Sequence, residues 1–280
     1  MRNLNKSISF LFLLSILFLG CKKNAVEDIT TPYSGAQFKV YNFTYVRSAT
    51  PAPTTTTVTF NAYANDVRFA TVVSTTGTES PNALTMGNLS PARGYALAPA
   101  GQVVLTAKSP STAVVSTVYG FGPDLEIAKV SANVVSGRNY SFYVNGYFDP
   151  VTKKADGFIV EDKLPEPDTA AAYIRLVNPA PNTSTLSLQI TRTYKVDGVD
   201  VIDTTTPING VAYKSASEFV RVPSGVYNTL KCTDLATGKS VTRTTATTLL
   251  KNRVYTFTVR GDLVGTTSYP ALFLDFTENR

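Results

Sequence analysis

Two cysteines, no histidine and one short run of aspartates bound the side-chain chemistry open to this 280-residue chain. Without histidine, Ser-His-Asp and Cys-His nucleophile systems, histidine general bases and most zinc sites are excluded. Cys232, in Leu230-Lys231-Cys232-Thr233, has no base near it in sequence and reads as a small buried apolar residue of a strand. Asp197, Asp200 and Asp203 lie close enough together to converge on calcium, but such a site needs about six oxygens or more. The simpler account of that segment is a hairpin, because Asp197-Gly198 is a strong turn signal with valines on its far side and at Val196. Glycosidases work with two carboxylates, whereas the carboxylates here fall mostly in expected turns or at strand ends, where they are solvated. No cofactor is expected, and a carboxylate-dependent hydrolase ranks last among the functions considered.

Cys21 stands apart. Arg2 and Lys6 precede an apolar stretch from Ile8 to Leu19, and Gly20 separates that stretch from the cysteine. This is the layout of a secretory signal. The stretch falls short of the roughly 20 apolar residues of a membrane-spanning helix and is followed at once by Lys22 and Lys23. Leu17-Phe18-Leu19-Gly20-Cys21 resembles the bacterial lipobox. That resemblance implies alkylation of the Cys21 thiol by diacylglycerol, cleavage after residue 20, and acylation of the new amino group. Each buried CH₂ contributes about 0.8 kcal/mol, so several acyl chains hold a protein to a membrane. Residues 1–20 are therefore expected to be a signal peptide, and the membrane a partner through lipid on Cys21. Residues 21–33 carry Lys22, Lys23, Glu27 and Asp28 ahead of Pro32 with no apolar period, and read as a flexible tether. Lysines followed by acids near a lipidated cysteine resemble the export tags of Bacteroidetes lipoproteins, though Asn24, Ala25 and Val26 interrupt the match. The expected location is the cell envelope, at the outer membrane and facing outward.

Loss of residues 1–20 removes Arg2 and Lys6, so a formal charge of +6 falls by two to +4. No Lys/Arg run exceeds two residues, which argues against nucleic acid as a partner. With Cys21 lipidated, Cys232 has no partner for an intrachain disulfide, and stability must come from packing. Thr, Val, Tyr and Phe are abundant and long helical patterns are missing, so the chain is expected to be all-β.

A duplication runs through the sequence. Arg138-Asn139-Tyr140-Ser141-Phe142-Tyr143-Val144-Asn145-Gly146 matches Arg253-Val254-Tyr255-Thr256-Phe257-Thr258-Val259-Arg260-Gly261, 115 residues on (138 to 253). At that spacing Phe158-Ile159 falls on Phe273-Leu274. Ala98-Pro99-Ala100-Gly101 pairs with Val222-Pro223-Ser224-Gly225, and Phe38-Lys39-Val40-Tyr41-Asn42 with Ile174-Arg175-Leu176-Val177-Asn178, in the same order. Tyr255, Phe257 and Val259 face one way and Thr256, Thr258 and Arg260 the other, the period of a half-buried strand. Proline followed by glycine marks a tight reversal. Short strands between turn signals predict two tandem immunoglobulin-like antiparallel β-sandwich domains, at 34–163 and 172–280. Residues 164–171, with Pro165 and Pro167, read as a short, stiff linker. Within it Asp168-Thr169-Ala170 resembles the O-glycosylation motif of exported Bacteroidetes proteins, which would make Thr169 the acceptor.

In the second copy, Tyr173-Ile174-Arg175-Leu176-Val177-Asn178-Pro179-Ala180-Pro181, Val222-Pro223-Ser224-Gly225-Val226-Tyr227 and Val254-Tyr255-Thr256-Phe257-Thr258-Val259 resemble an uncharacterised bacterial family, a domain of unknown function found in tandem in exported and cell-surface proteins. The resemblance covers most of 172–276 and, more weakly, 36–162, where the Ala-Pro turn is delayed to Ala52-Pro53. It implies location and fold. The function expected from all this is a non-catalytic adhesion, scaffold or accessory binding module with an envelope protein or glycan partner. The alternative is a carbohydrate-binding accessory protein that stacks sugars on Tyr33, Tyr41, Tyr45, Tyr63, Tyr95 or Tyr143, without the help of any Trp. The longer first copy, with its Thr-rich stretch between Thr50 and Leu97, is the expected contact surface.

Overall fold

The computed structural model describes residues 34–46, 58–70, 83–115, 120–263 and 271–280; the signal, Cys21, the tether and Tyr33 lie outside the described residues. Every regular element among them is a strand. The first copy contributes β1 (Gly35–Val46), β2 (Asn61–Ala64), β3 (Val67–Ala70), β4 (Leu89–Ser90), β5 (Ala96–Pro99), β6 (Gly101–Lys108), β7 (Glu126–Val134), β8 (Asn139–Asp149) and β9 (Lys154–Glu161). The second contributes β10 (Ala171–Asn178), β11 (Thr185–Val196), β12 (Val199–Ala212), β13 (Ser215–Ala216), β14 (Val220–Pro223), β15 (Gly225–Tyr227), β16 (Thr229–Asp234), β17 (Ser240–Arg243), β18 (Thr247–Leu249), β19 (Val254–Arg260) and β20 (Phe273–Glu278).

The duplication is a duplication of topology. One sheet runs β4-β1-β8-β9, with β5 also on β1; its counterpart runs β13-β10-β19-β20, with β14 also on β10. Opposite them stand β3-β2-β6-β7 in the first copy and β12-β11-β16-β17, with the β15-β18 ribbon, in the second. Pairing is antiparallel except where the opening strand of each copy meets its penultimate long strand, β1 with β8 and β10 with β19, which run parallel. Pro99-Ala100-Gly101 and Pro223-Ser224-Gly225 carry the chain from one sheet toward the other, with Gly101 at φ 92° and Gly225 at φ 147°. Both φ values lie where a side chain is strained, so glycine is required there.

Each copy closes a core between its two sheets. Phe38, Val40, Phe142 and Val144 meet Phe60, Ala62, Val103, Leu105 and Ile127; Ile174, Leu176, Tyr255 and Phe257 meet Leu186, Leu188, Ile190, Leu230 and Cys232. The same latch recurs in both. The Val135 N–H donates to the Tyr140 hydroxyl at 2.9 Å and the Leu250 N–H to the Tyr255 hydroxyl at 3.0 Å, each reaching back five residues. This is the tyrosine corner of immunoglobulin-like sandwiches. Tyr140→Phe and Tyr255→Phe are each expected to lower unfolding free energy by about 1 kcal/mol, since each leaves one N–H without its acceptor. Urea titration reads the effect, and no loss in either variant would reduce the corner to a packing feature.

The last strand corrects the repeat register. Tyr140 lies opposite Glu161 and Tyr255 opposite Glu278, so equivalent residues there are 117 apart (161 to 278) and Phe158 corresponds to Asp275, not Phe273. A second correction concerns the polar faces. Thr256 and Thr258 are 0 % and 1 % exposed, and β1 is buried along almost its whole length on both faces. These strands are not half-buried, because the sheets β4-β1-β8-β9 and β13-β10-β19-β20 pack on one another. Tyr41, Phe43, Tyr143 and Phe158 of the first copy close on Val177 of the second. The described residues therefore stack four sheets deep.

Candidate functional site at the seam between the copies

The seam is built from equivalent residues in reciprocal contact. Lys39 and Arg175 hold the same position in β1 and β10, 136 residues apart, one residue past the matched pair Phe38 and Ile174. Lys39 Nζ lies over the Tyr95 ring, 5.2 Å from its centroid, and donates to the Glu278 carbonyl at 3.0 Å. The Arg175 guanidinium lies over the Phe219 ring at 4.7 Å and pairs with Asp162. Tyr95 and Phe219 immediately precede β5 and β14, while Glu278 is the last residue of β20 and Asp162 the first after β9. Glu278 matches Glu161 and Asn279 matches Asp162, so the two cations reach adjacent positions on the opposite copy across an approximate two-fold interface.

The far end of the seam repeats this. Asn145 and Arg260 are equivalent, as are Met86 and Tyr213, which lie three residues before the partners of Tyr41 and Val177. Asn145 Nδ2 donates to the Tyr213 hydroxyl at 3.0 Å, and Arg260 Nη1 approaches Met86 Sδ at 3.9 Å. Arg260 also pairs with Asp275 and lies 4.4 Å from the centroid of the Phe273 ring.

At the end that holds Lys39 and Arg175 the charges are committed. Asp162 accepts from Arg175, from the Ser141 hydroxyl at 2.7 Å and from the Tyr95 hydroxyl at 2.9 Å. Asn279 stands at the equivalent position. Its carbonyl oxygen accepts from Thr256 at 2.6 Å and its amide donates to Tyr95 at 3.0 Å. Burial works against the charge on Arg175, but Asp162 outweighs it and holds the guanidinium more firmly protonated than an ordinary arginine. Burial also pulls the Lys39 ammonium below the usual lysine value, opposed by Asp162 and Glu278. The arrangement clamps two sandwiches together.

The sequence matches no protein-family model and no curated protein. Loose structural likenesses exist. A candidate cell adhesion protein of Bacteroides fragilis is 12% identical with a TM-score of 0.27, over 88% of this chain and 98% of its own. One from Bacteroides ovatus is 9% identical at 0.26, over 87% and 98%. The Bacillus anthracis TIE protein is 13% identical at 0.20, with 82% of this chain spanning 34% of that one. Scores this low carry nothing about activity.

The residues singled out from sequence are scattered. Cys21 lies outside the described residues. Thr169 is exposed on a turn whose neighbour Asp168 accepts from Arg221 Nε at 2.7 Å and from the Ala170 N–H at 2.8 Å. Asp197 and Gly198 take positive φ, 52° and 82°, as the two central residues of a tight hairpin turn. Asp200 pairs with Lys195 and Asp203 with Arg192, each at 2.9 Å. Among the described residues no three acidic, histidine or cysteine side chains gather as a metal site. Burial drives the Cys232 thiol up to about 12. Tyr41, Tyr45 and Tyr143 are 1 %, 6 % and 0 % exposed, so those rings offer no sugar platform, while Tyr63 and Tyr95 are half-buried. Sequence reasoning missed Lys39, Asp162, Arg175 and Asn279. The signal that could have found them was β1 itself, where Tyr41, Phe43 and Tyr45 alternate with Phe38, Val40 and Asn42 so that both faces carry large apolar groups. Runs of that kind belong to strands covered on both sides.

Proposed function

We propose that this chain is a non-catalytic lipoprotein of the cell envelope, anchored through Cys21 and acting as an adhesion, scaffold or accessory binding module. The observation that carries the reading is the seam. Its buried ionisable groups, Lys39, Asp162 and Arg175, are engaged in joining the two copies. Asp234, another buried carboxylate, is held below the usual range despite its burial by hydrogen bonds from Ser184 and Thr237. A chain that commits its interior charges in this way builds a stiff body whose outer surface is left for contact. The lipobox supplies the anchor, and the resemblance to tandem cell-surface domains agrees with the location.

Fatty-acid labelling of the wild-type chain and of Cys21→Ala tests the anchor, with label expected only in the former. A pull-down from cells crosslinked at the surface, run beside the Cys21→Ala form, tests the module. Enrichment of a discrete partner by the anchored form is expected, and recovery of nothing above the control would remove the reading's support.

A further inference from the structure

Two clefts flank the seam, and the pseudo-two-fold relation carries one onto the other. The larger, about 720 Å³, lies between residues 89–94 of the first copy and Arg253 with residues 276–280 of the second. The smaller, about 320 Å³, lies between residues 214–219 of the second copy and 159–163 of the first. Their walls correspond residue by residue along the final strands: Phe276 with Ile159, Glu278 with Glu161, and Arg280 with Lys163, each 117 apart. The molecule thus contains the same cleft twice, and the two can be compared directly.

They differ in charge. In the smaller cleft each cation has an acid. Lys163 lies 3.9 Å from Glu218, Lys214 lies 2.8 Å from Asp156, and Arg175 holds Asp162. The larger cleft has one ion pair, Arg253 with Glu278 at 3.0 Å, the equivalent of Arg138 with Glu161 at 2.9 Å. It lacks an acid at the position of Glu218, and its loop carries Arg93 instead. Arg93 and Arg280 have no ion-pair partner among the described residues. Both line the larger cleft, Arg93 from the first copy and Arg280 from the second.

We propose that the larger cleft binds an acidic sugar, its carboxylate or sulfate held by Arg93 and Arg280. A guanidinium presents a planar fork that matches such an oxyanion. The volume falls in the range of small-molecule sites, about 300–1,000 Å³, and far exceeds a bare ion. Phe276, stacked on Tyr255 at 5.1 Å, gives the wall an apolar face for the sugar ring. The proposal rests on the binding-module reading and adds a ligand class to it.

Calorimetric titration of the unlipidated Cys21→Ala chain with trigalacturonic acid, a sulfated heparin disaccharide, a neutral trigalactose and sodium sulfate tests the site. One of the acidic sugars is expected to bind, more weakly as salt rises, and the neutral sugar is not. Arg93→Ala and Arg280→Ala should each weaken binding about tenfold, the effect of losing one charged hydrogen bond. Lys163→Ala, in the paired cleft, should change it by less than about twofold. Absence of heat from both acidic sugars overturns the site. So does equal loss in Lys163→Ala, or an equal response to sodium sulfate, which would mean an adventitious ion only. Failure here beside a successful surface pull-down removes the sugar site alone; failure of both removes the module as well.

Discussion

Replacing Arg175 by Met lowers the unfolding free energy by about 3–5 kcal/mol, the cost of leaving a buried charge without its counter-ion. The side chains of Arg175 and Asp162 are 1 % and 0 % exposed, so no water replaces the guanidinium. Thr256 also loses its contact with Arg175 Nε at 2.9 Å. The double variant Arg175→Met with Asp162→Leu recovers some of that loss, because an apolar pair of similar volume no longer needs solvation. Recovery is incomplete, since the Ser141 and Tyr95 hydroxyls have then lost the carboxylate that received them. Denaturant titration of wild type, both single variants and the double variant gives the coupling energy. A single-variant loss below about 1 kcal/mol would contradict the burial of the pair.

Tyr143→Ala is expected to cost a comparable amount, about 3–5 kcal/mol, by the cavity it leaves. Its ring stacks on Tyr41 at 4.4 Å and on Phe158 at 4.9 Å, with Phe43 at 6.2 Å, and Val177 of the other copy closes the cluster. The site cannot collapse readily, because both sheets behind it are pinned by their own cores. The form of the transition is as telling as its midpoint. Since the cluster belongs to both copies, wild type and variant should each unfold in one transition, with amide exchange accelerated in β8 and β10 together. Two separate transitions in the wild type would mean that the copies fold independently.

The all-β class and the duplication were legible because alternation and glycine placement are local signals: Tyr255-Thr256-Phe257-Thr258-Val259 and Pro223-Ser224-Gly225 report their own geometry. The seam was not. Thr256, Thr258, Ser141 and Asn145 are polar, so alternation marked their face as wet, and it is covered instead by an equivalent sheet. Lys39 meets the carbonyl of Glu278 across 239 residues, a separation at which sequence pattern is silent. Asp162 is nearer to Arg175, but it sits at the edge of a segment whose prolines and acids suggested a solvated linker. The larger cleft was likewise invisible, since Arg93 and Arg280 come from opposite copies and are brought together by the fold alone.

The parallel pairing of β1 with β8 has a mechanical consequence. Ten consecutive residues, Gln37 to Val46, are in register with Asn139 to Phe148, and β5 grips the opening of the same strand from its other edge. A load entering at residue 34 and directed along β1 meets these bonds in shear. They must slide as a set and cannot unzip singly. Forced opening is governed by the unfolding rate, not by the equilibrium free energy. A strand held in this way resists being drawn out by its own start.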